Sequence, residues 1–144
     1  MSTNAVSHTI TRTAALVLAA DQLTKFIGTL NVGGSFLPVY NSDYSLGIVT
    51  APLIALIALS TVTLVVAARF GSHLARTGWI PAWVPGVVVG GAASNLLDRL
   101  VFGAVRDFIP TPIVIFNVAD VAVLCGLVVF AWSVTRTPIA REAV

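Results

Sequence analysis

Four long apolar stretches occupy most of this 144-residue chain, and its charged residues lie mainly at their ends. The stretches cover residues 13–30, 51–70, 79–97 and 116–134. A helix needs about 20 mostly apolar residues to cross the roughly 30 Å of hydrocarbon in a bilayer. Only helices and closed barrels satisfy their backbone groups in lipid, and the alternating pattern typical of barrel strands is missing. The pattern predicts an all-α membrane protein with a bundle of four transmembrane helices.

Composition supports a membrane protein and argues against other classes. Hydrophobic residues make up 57% of the chain, charged residues only 10%, and the mean hydropathy is +0.95. A separate soluble domain does not fit beside four spans, so we expect a single membrane domain over residues 1–144. The net charge of +2 is small and scattered, which argues against a nucleic-acid partner.

The chain offers few groups for metal or thiol chemistry. Cys125 is the only cysteine, so no internal disulfide can form, and its apolar neighbours suggest a buried packing thiol. His8 and His73 have no carboxylate at metal-ligand spacing beside them. We therefore expect neither a metal nor another cofactor.

The positions of lysine and arginine predict the orientation, because these residues are enriched on the cytoplasmic side of membrane proteins. Five arginines fall at one set of span ends: Arg12, Arg69, Arg76, Arg136 and Arg141. Both termini are then cytoplasmic. The five aspartates lie at or beyond the outer ends of the spans: Asp21, Asp43, Asp98, Asp107 and Asp120.

The first apolar stretch has a second interpretation. Arg12 followed by residues 14–20 resembles the charged and apolar parts of a secretory signal peptide. However, Leu18 stands where a small residue is expected before a cut, and apolar character resumes beyond Lys25. We favour retention as a span.

The outer connectors cover about residues 28–50 and 98–115. The first mixes Gly, Pro, Asn and Ser with short apolar pairs, which suits turns and short extended segments. This predicts a small β-like cradle on the membrane surface. Within the third span, Gly90 and Gly91 make a small-residue face, which indicates close helix packing.

Asn95 with Asp98 and Asn117 with Asp120 share the spacing Asn-x-x-Asp at the outer ends of the third and fourth spans. Helical positions three apart lie on one face, so each amide can hold its own carboxylate in place. The alternative is helix capping, which is a serious possibility for Asn117. Asp120 lies a turn further in, where we expect capping not to explain it.

The remaining acidic residues differ in their surroundings. Asp107 precedes an apolar segment, where desolvation would raise its pKa and make it a functional candidate. Asp98 suits a structural role, with Arg99 either neutralising it or fixing neighbouring backbone. Asp21 and Lys25 are four apart and can pair along a helix, anchoring the outer helix ends. Direct substrate contact by this pair stays open.

The chemistry available to such a site is that of two carboxylates. Two neighbouring aspartates cannot both ionise easily, so one keeps a proton and acts as an acid while the other activates water. This is the basis of aspartic proteolysis.

Four segments resemble signatures of the lipoprotein signal peptidase family, also called signal peptidase II. They are residues 21–25 (DQLTK), 90–99 (GGAASNLLDR), 105–108 (VRDF) and 116–120 (FNVAD). The resemblance implies a membrane aspartic endopeptidase of the bacterial cytoplasmic membrane, with its active site at the extracytoplasmic face. It implies that the enzyme removes signal peptides from prolipoproteins by cutting before a cysteine that carries diacylglycerol.

The resemblance also implies roles for individual residues. Asp107 and Asp120 match the catalytic aspartates, while Asn95, Arg99 and Asn117 match positions that support them and the substrate backbone. Supporting or substrate-binding roles are further expected at Asn41, Asp98, Asp21 and Lys25. The implied partners are the lipid-modified prolipoprotein, membrane lipids and the cyclic peptide inhibitor globomycin.

Three departures from the family pattern affect the expected substrate platform. The second signature, of the type Asn-x-Gly-Ala-Ala-Phe, is represented here only by Asn41, which is followed by SDYSL. The first outer connector is short for the family, and so is the stretch between Asp107 and Asp120. In the third signature Ser94 replaces a glycine. Asp43 falls in the altered signature and has no role that we can assign.

Two further functions remain as alternatives. A paralogue with restricted substrates, or one that binds lipoprotein precursors without cleaving them, would fit the reduced cradle. A small ion- or proton-conducting protein would instead need carboxylates distributed through the membrane depth. The inner halves of all four stretches lack carboxylates, which disfavours conduction.

Overall fold

The computed structural model describes residues 2–30, 38–42 and 51–136, and within these ranges it contains four α-helices and four short strands. The helices are α1 (Thr3–Leu30), α2 (Leu53–Arg76), α3 (Trp83–Phe102) and α4 (Val118–Arg136). The strands are β1 (Val39–Asn41), β2 (Val105–Asp107), β3 (Ile109–Pro110) and β4 (Ile115–Phe116). The four helices correspond in order to the four apolar stretches.

Several helix boundaries differ from the prediction. Helix α1 begins at residue 3 rather than 13, α2 ends at 76 rather than 70, and α3 covers 83–102 rather than 79–97. The amide of Ala5 donates to the hydroxyl of Ser2 at 3.3 Å, a cap that supports the earlier start of α1. Helix α3 ends where Gly103 adopts a left-handed φ of 73°. Hydropathy marks the apolar part of each helix, and polar turns continue beyond it.

Helix α3 is central and packs against α1, α2 and α4. A Cβ at Gly90 would lie 2.5 Å from the carbonyl oxygen of Ala14 in α1, and one at Gly91 would lie 2.7 Å from that of Ala119 in α4. Glycine therefore allows both neighbouring helices to approach closely. The predicted small-residue packing face is confirmed.

Helices α1 and α3 run parallel to each other, and α2 and α4 run antiparallel to them, so the helix ends form two groups. At one end, the start of α1, the end of α2 and the start of α3 form an apolar cluster of Val6, Ala75, Ile80 and Val84. Val134, near the end of α4, packs against it. The end of α1, the end of α3 and the start of α4 lie at the other end, which carries the strands and the polar site.

The strands join the two outer connectors. In the antiparallel pair of β1 and β2, Val39 lies opposite Asp107 and Asn41 opposite Val105. Strands β3 and β4 form a hairpin. Short strands are therefore present where the β-like cradle was predicted, and β1 of the first connector pairs with β2 of the second. Most of the first connector, residues 31–37 and 43–50 with Asp43, lies outside the described residues.

Within the described ranges, α2 and α4 are long and apolar enough, by length and composition, to cross a membrane. Helices α1 and α3 include acidic and basic residues among their apolar ones. Large apolar side chains are nevertheless exposed on every helix, among them Leu16 and Phe26 on α1, Ile54 on α2, Val101 on α3 and Leu124 on α4. Four membrane spans stay a prediction.

The interpretation of Cys125 as a buried thiol is wrong, because this residue is exposed. Helix α4 turns Gly126 toward α3, where an added Cβ would lie 2.6 Å from a methyl carbon of Val88. Consecutive helical residues are about 100° apart around the axis, so Cys125 points away from that contact. Apolar neighbours in the sequence did not distinguish the outside of the bundle from its interior.

Candidate active site

A group of buried polar side chains lies where α1 and α3 end and α4 begins. The polar or charged residues buried here are Asp21, Lys25, Ser94, Asp98, Arg99, Arg106, Asp107 and Asn117. Hydrogen bonds connect Asn41, Asn95 and Asp120 to this group. Burying charge is costly unless each group finds partners, so these contacts decide what the site can do. All nine residues predicted as site residues are brought together here.

Asp107 ends β2 and is only 2% exposed. The side-chain amide of Asn117 donates to its Oδ1 at 2.6 Å, and that of Asn41 donates to its Oδ2 at 2.9 Å. Burial raises the pKa of Asp107 from 3.8 to about 6; the two amides oppose this rise and the nearby Asp120 carboxylate adds to it. The expected effect of desolvation is confirmed.

Asn117 and Asp120 form a reciprocal cap at the start of α4. The backbone amide of Asp120 donates to Oδ1 of Asn117 at 2.9 Å, and that of Asn117 donates to Oδ2 of Asp120 at 3.2 Å. This is the capping-box arrangement, with its carboxylate at the third helical position. The expectation that capping does not involve Asp120 is therefore wrong. The cap leaves the NH2 group of Asn117 directed at Asp107.

Asn95 supports a carboxylate on a different helix from its own. Its amide nitrogen donates to Oδ1 of Asp120 at 2.8 Å, while its Oδ1 accepts from Asn117 at 3.2 Å and from Lys25 at 3.0 Å. Asn117 thus pairs with Asp120 as predicted, through the cap, whereas Asn95 does not pair with Asp98, and the side-chain NH2 groups of both asparagines donate to other aspartates. Asn95 holds Asp120, and the side-chain amide of Asn117 holds Asp107, because α3, α4 and β2 meet at this point.

Lys25 is fully buried and joins two other aspartates, Asp21 and Asp98. Its Nζ lies 2.6 Å from Oδ2 of Asp21 and 3.1 Å from Oδ2 of Asp98. The predicted pairing of Asp21 with Lys25 along α1 is confirmed. Asp21 also accepts from the Ser94 hydroxyl at 2.7 Å and from the Ala119 amide at 2.8 Å. These contacts tie α1 to both α3 and α4.

Arg99 and Arg106 have different partners, and it is Arg106 rather than Arg99 that pairs with Asp98. Asp98 forms its ion pairs with Lys25 and Arg106, while Arg99 donates to the carbonyl oxygen of Asn95 at 3.4 Å. Of the two roles considered for Arg99, fixing neighbouring backbone fits the structure and neutralising Asp98 does not. Arg106 takes the neutralising role through an Nη2 to Oδ1 distance of 2.7 Å.

Three residues of this network were not among the predicted site residues: Gln22, Ser94 and Arg106. The amide nitrogen of Gln22 donates to the Ser94 hydroxyl at 2.8 Å and to Oδ1 of Asp98 at 2.9 Å. The spacing of Ser94 and Asp98, four apart on α3, was a usable signal. Nothing in the local sequence indicates that Arg106 reaches back eight residues to Asp98.

Apart from Arg99, the charged side chains of the site fall into two sets. Asp21 and Asp98 carry two negative charges, and Lys25 and Arg106 supply two positive ones, so this neutral charge cluster is balanced internally. Asp107 and Asp120 instead receive hydrogen bonds from amides. Two neighbouring carboxylates can share a proton and titrate as a pair, and such a pair can activate water by acid–base chemistry. Within residues 2–30, 38–42 and 51–136, no three or more His, Cys, Asp or Glu side chains are grouped to hold a metal ion.

The fold and the site define a class: a mainly helical protein with membrane-span candidates and, at one end of its helices, two aspartates of which Asp107 is buried and Asp120 half-buried. The family model of signal peptidase (SPase) II matches residues 13–136. Lipoprotein signal peptidase from Moorella thermoacetica is 37% identical over 134 residues, which cover 83% of this chain and 87% of that protein. The enzyme of the same name from Streptomyces coelicolor is 37% identical over 98 residues, covering 63% of this chain and 47% of that one.

Solved structures show the same fold. A bacterial membrane enzyme determined at 2.3 Å by the in meso method superposes with a TM-score of 0.80 at 20% identity, covering 95% of this chain and 93% of that one. A second such enzyme, at 1.9 Å, gives a TM-score of 0.73 at 19% identity, covering 90% of this chain and 94% of that one. The chain belongs to the signal peptidase II family.

Proposed function

We propose that this chain is an aspartic endopeptidase in which Asp107 and Asp120 act as acid and base. Its family membership gives the reaction: it removes signal peptides from prolipoproteins. The position of the cut, immediately before the diacylglyceryl-modified cysteine, is part of our proposal. So is the aspartic type of the enzyme.

The observation that carries the aspartic mechanism is the position of Asn117 between the two carboxylates. Its side chain donates to Asp107, and its backbone amide donates to Asp120. Asn41 and Asn95 support the same two carboxylates from β1 and α3. A pair of acids held by amide donors in a fixed arrangement is preorganised for proton exchange with a bound water and a peptide carbonyl.

The reaction follows from this arrangement. Asp107, whose pKa is raised to about 6, carries the shared proton and donates it to the scissile carbonyl oxygen. Asp120 takes a proton from water as the water oxygen bonds to the carbonyl carbon. Asp120 then passes this proton to the amide nitrogen as the carbon–nitrogen bond breaks, and one hydroxyl of the intermediate returns a proton to Asp107. Both aspartates end in their starting states, and water is the only co-reactant.

The surroundings of the site suit an amphiphilic substrate. Large apolar side chains are exposed at the outer end of α1 and on β1: Leu23, Phe26, Ile27, Leu30, Val39 and Tyr40. Acyl chains on a lipidated cysteine would gain free energy from such a surface or from the adjoining bilayer, while the peptide reaches Asp107 and Asp120. This supports a lipid-modified prolipoprotein as partner, with membrane lipids around the helices.

We further propose that all four helices of the single domain, residues 1–144, span the bacterial cytoplasmic membrane, with both termini cytoplasmic. Two observations support this. Apolar side chains are exposed on every helix, and the helix ends fall into two groups with Arg12, Arg69, Arg76 and Arg136 toward the end opposite the site. The positive-inside tendency then puts the site at the extracytoplasmic face.

The test is release of signal peptide from a diacylglyceryl-modified prolipoprotein by purified protein in detergent or lipid. We expect Asp107→Asn and Asp120→Asn each to lower the rate by about a hundredfold or more, because each removes one proton-transfer group. Cys125→Ser, on the exposed side of α4, is the matched control and should retain full activity. Full activity in either aspartate variant would contradict the assignment of Asp107 and Asp120 as acid and base. Loss of cleavage in a folded Asp98→Asn protein alone would move a dyad role to Asp98.

The same assay separates the other hypotheses. A precursor-binding paralogue would retain the lipidated substrate without forming product, and a substrate-restricted one would cleave only some prolipoproteins. We expect globomycin to block cleavage by the wild-type protein. Ion flux through liposomes containing the protein, without cleavage, would instead support conduction.

A further inference from the structure

Arg106 directly precedes Asp107 in β2, is 6% exposed, and takes no part in the proposed proton transfers. Its guanidinium donates to both carboxylate oxygens of Asp98, from Nη2 at 2.7 Å and from Nε at 3.3 Å. Nη2 also donates to Oε1 of Gln22 at 2.7 Å. The backbone amide of Arg106 donates to Oδ2 of Asp98 at 3.0 Å. The main chain of Arg106 is therefore attached to α3, and its side chain to both α1 and α3.

Aromatic contacts complete this attachment. The guanidinium carbon of Arg106 lies 4.3 Å from the centroid of the Phe102 ring, at the end of α3. Phe102 meets Tyr40 edge to face, with ring centroids 6.4 Å apart, and Tyr40 is the partner of Arg106 in the strand pair. Arg106 thus contacts two helices directly and the neighbouring strand through its pairing.

We propose that Arg106 is a positioning residue for Asp107. By attaching β2 to α1 and α3, it holds the Asp107 carboxylate where Asn41 and Asn117 can donate to it. The inference rests on the proposed role of Asp107 as acid. Strand β2 has three residues in a two-stranded pairing, and so short a pair provides little rigidity of its own. Catalysis is sensitive to displacements of about 1 Å, which makes such an attachment important for rate.

The two features of Arg106, its charge and its planar fork, can be tested separately. Arg106→Gln removes the positive charge and leaves Asp98 with Lys25 as its cation. Arg106→Lys keeps the charge but cannot reproduce the two-point contact or the stacking on Phe102. We expect the glutamine variant to lower kcat about tenfold or more, and the lysine variant to lower it about threefold, with KM within about twofold in both. The rate would fall because Asp107 is displaced while the apolar substrate surface is retained.

The experiment measures kcat and KM for the wild type and both variants with the lipidated prolipoprotein, alongside thermal unfolding in the same detergent. Arg69→Gln is the matched control, because Arg69 is exposed near the opposite end of the bundle; its kinetics should equal those of the wild type. A kcat within twofold of wild type in a folded Arg106→Gln protein overturns the proposal. A loss confined to KM does the same.

Two further results distinguish a positioning role of Arg106 from a folding defect and from failure of the aspartic mechanism. If Arg106→Gln does not fold, Arg106→Lys decides: lowered kcat with unchanged KM supports positioning, and wild-type kcat overturns it. Asp107→Asn is run in parallel. Wild-type activity in that variant overturns the aspartic mechanism itself and the role of Arg106 with it, whereas an inactive Asp107→Asn beside a fully active Arg106→Gln overturns the role of Arg106 alone.

Discussion

At the scale of single residues, the site depends on side-chain amides that use both of their ends. Asn117 accepts from the backbone of Asp120 through Oδ1 and donates to Asp107 through Nδ2. Asn95 accepts from Lys25 through its oxygen and donates to Asp120 through its nitrogen. Neither amide can rotate by half a turn without losing contacts at both ends. Each carboxylate therefore meets donors in a defined orientation.

The two tasks of Asn117 can be separated by substitution. Serine caps helices about as well as asparagine, so Asn117→Ser should keep most of the stability while losing the amide donated to Asp107. We expect its cleavage rate to fall about tenfold or more, since that hydrogen bond holds the proton-donating Asp107 in place. Asn117→Ala should lose the same activity and also about 1 kcal/mol of stability. Cleavage assays and thermal unfolding measure the two effects. Equal stability of the alanine and serine variants would contradict a capping role.

The raised pKa of Asp107 predicts a pH dependence of stability. The folded state binds the Asp107 proton with a pKa of about 6 and the unfolded state near the ordinary 3.8. The folded state therefore holds more protons between these values, and stability falls as pH rises through this window. Asp107→Asn lacks this titration. We expect its Tm to rise relative to wild type from pH 4 to pH 7 in detergent; a difference that does not change with pH would contradict the shift.

Local spacing predicted part of this network, and packing determined the rest. The pairing of Asp21 with Lys25 follows from a four-residue separation on one helix. The capping box of Asn117 and Asp120 was equally visible in the spacing, although capping was considered only for Asn117. Contacts that join different elements, such as Asn95 with Asp120, depend on how α3 and α4 approach each other. No spacing rule within one segment supplies that information.

At the scale of elements, the site depends on how closely α1 and α4 approach α3. The glycines of α3 permit that approach, and Asp21, Lys25 and Asp120 reach the centre of the site as a result. The sequence predicted the helices and their order, because apolar length is a strong signal. It placed helix ends less well, because capping and polar turns, rather than hydropathy, determine where a helix stops.

Adding one methyl group tests this close packing. Gly90→Ala would place its Cβ 2.5 Å from the carbonyl oxygen of Ala14, so α1 must move. We expect a loss of about 1–3 kcal/mol in stability and a lower cleavage rate. Gly28→Ala is the matched control, since its Cβ would have Phe108 as its nearest neighbour at 3.9 Å. Thermal unfolding of both variants in detergent gives the comparison, and equal Tm values would contradict the packing argument.

At the scale of the whole molecule, the helix ends fall into two groups of different composition. One end gathers arginines around an apolar cluster, and the other gathers the aspartates and the strands. The positions of the charged residues and the lengths of the apolar stretches predicted this difference between the two ends. The depth of each helix in the bilayer depends on lipid, which the chain alone does not specify.

Orientation can be measured with single-cysteine reporters in a Cys125→Ser background. Ile113, at the tip of the β3–β4 hairpin, is 91% exposed, and His73 is exposed in the last turns of α2. We expect a membrane-impermeant maleimide to label Ile113→Cys in cells whose inner membrane is intact. His73→Cys should react only after that membrane is opened. The reverse pattern would contradict an extracytoplasmic site.

The neutral charge cluster limits which amino-acid substitutions this protein can tolerate. The charges of Asp21, Lys25, Asp98 and Arg106 sum to zero, so replacing any one of them alone leaves the cluster with a net buried charge. Removing an opposite pair together avoids that penalty, and such exchanges are often close to neutral for stability. Substitutions at these positions are therefore expected to occur in pairs, in which an acidic and a basic residue are replaced together.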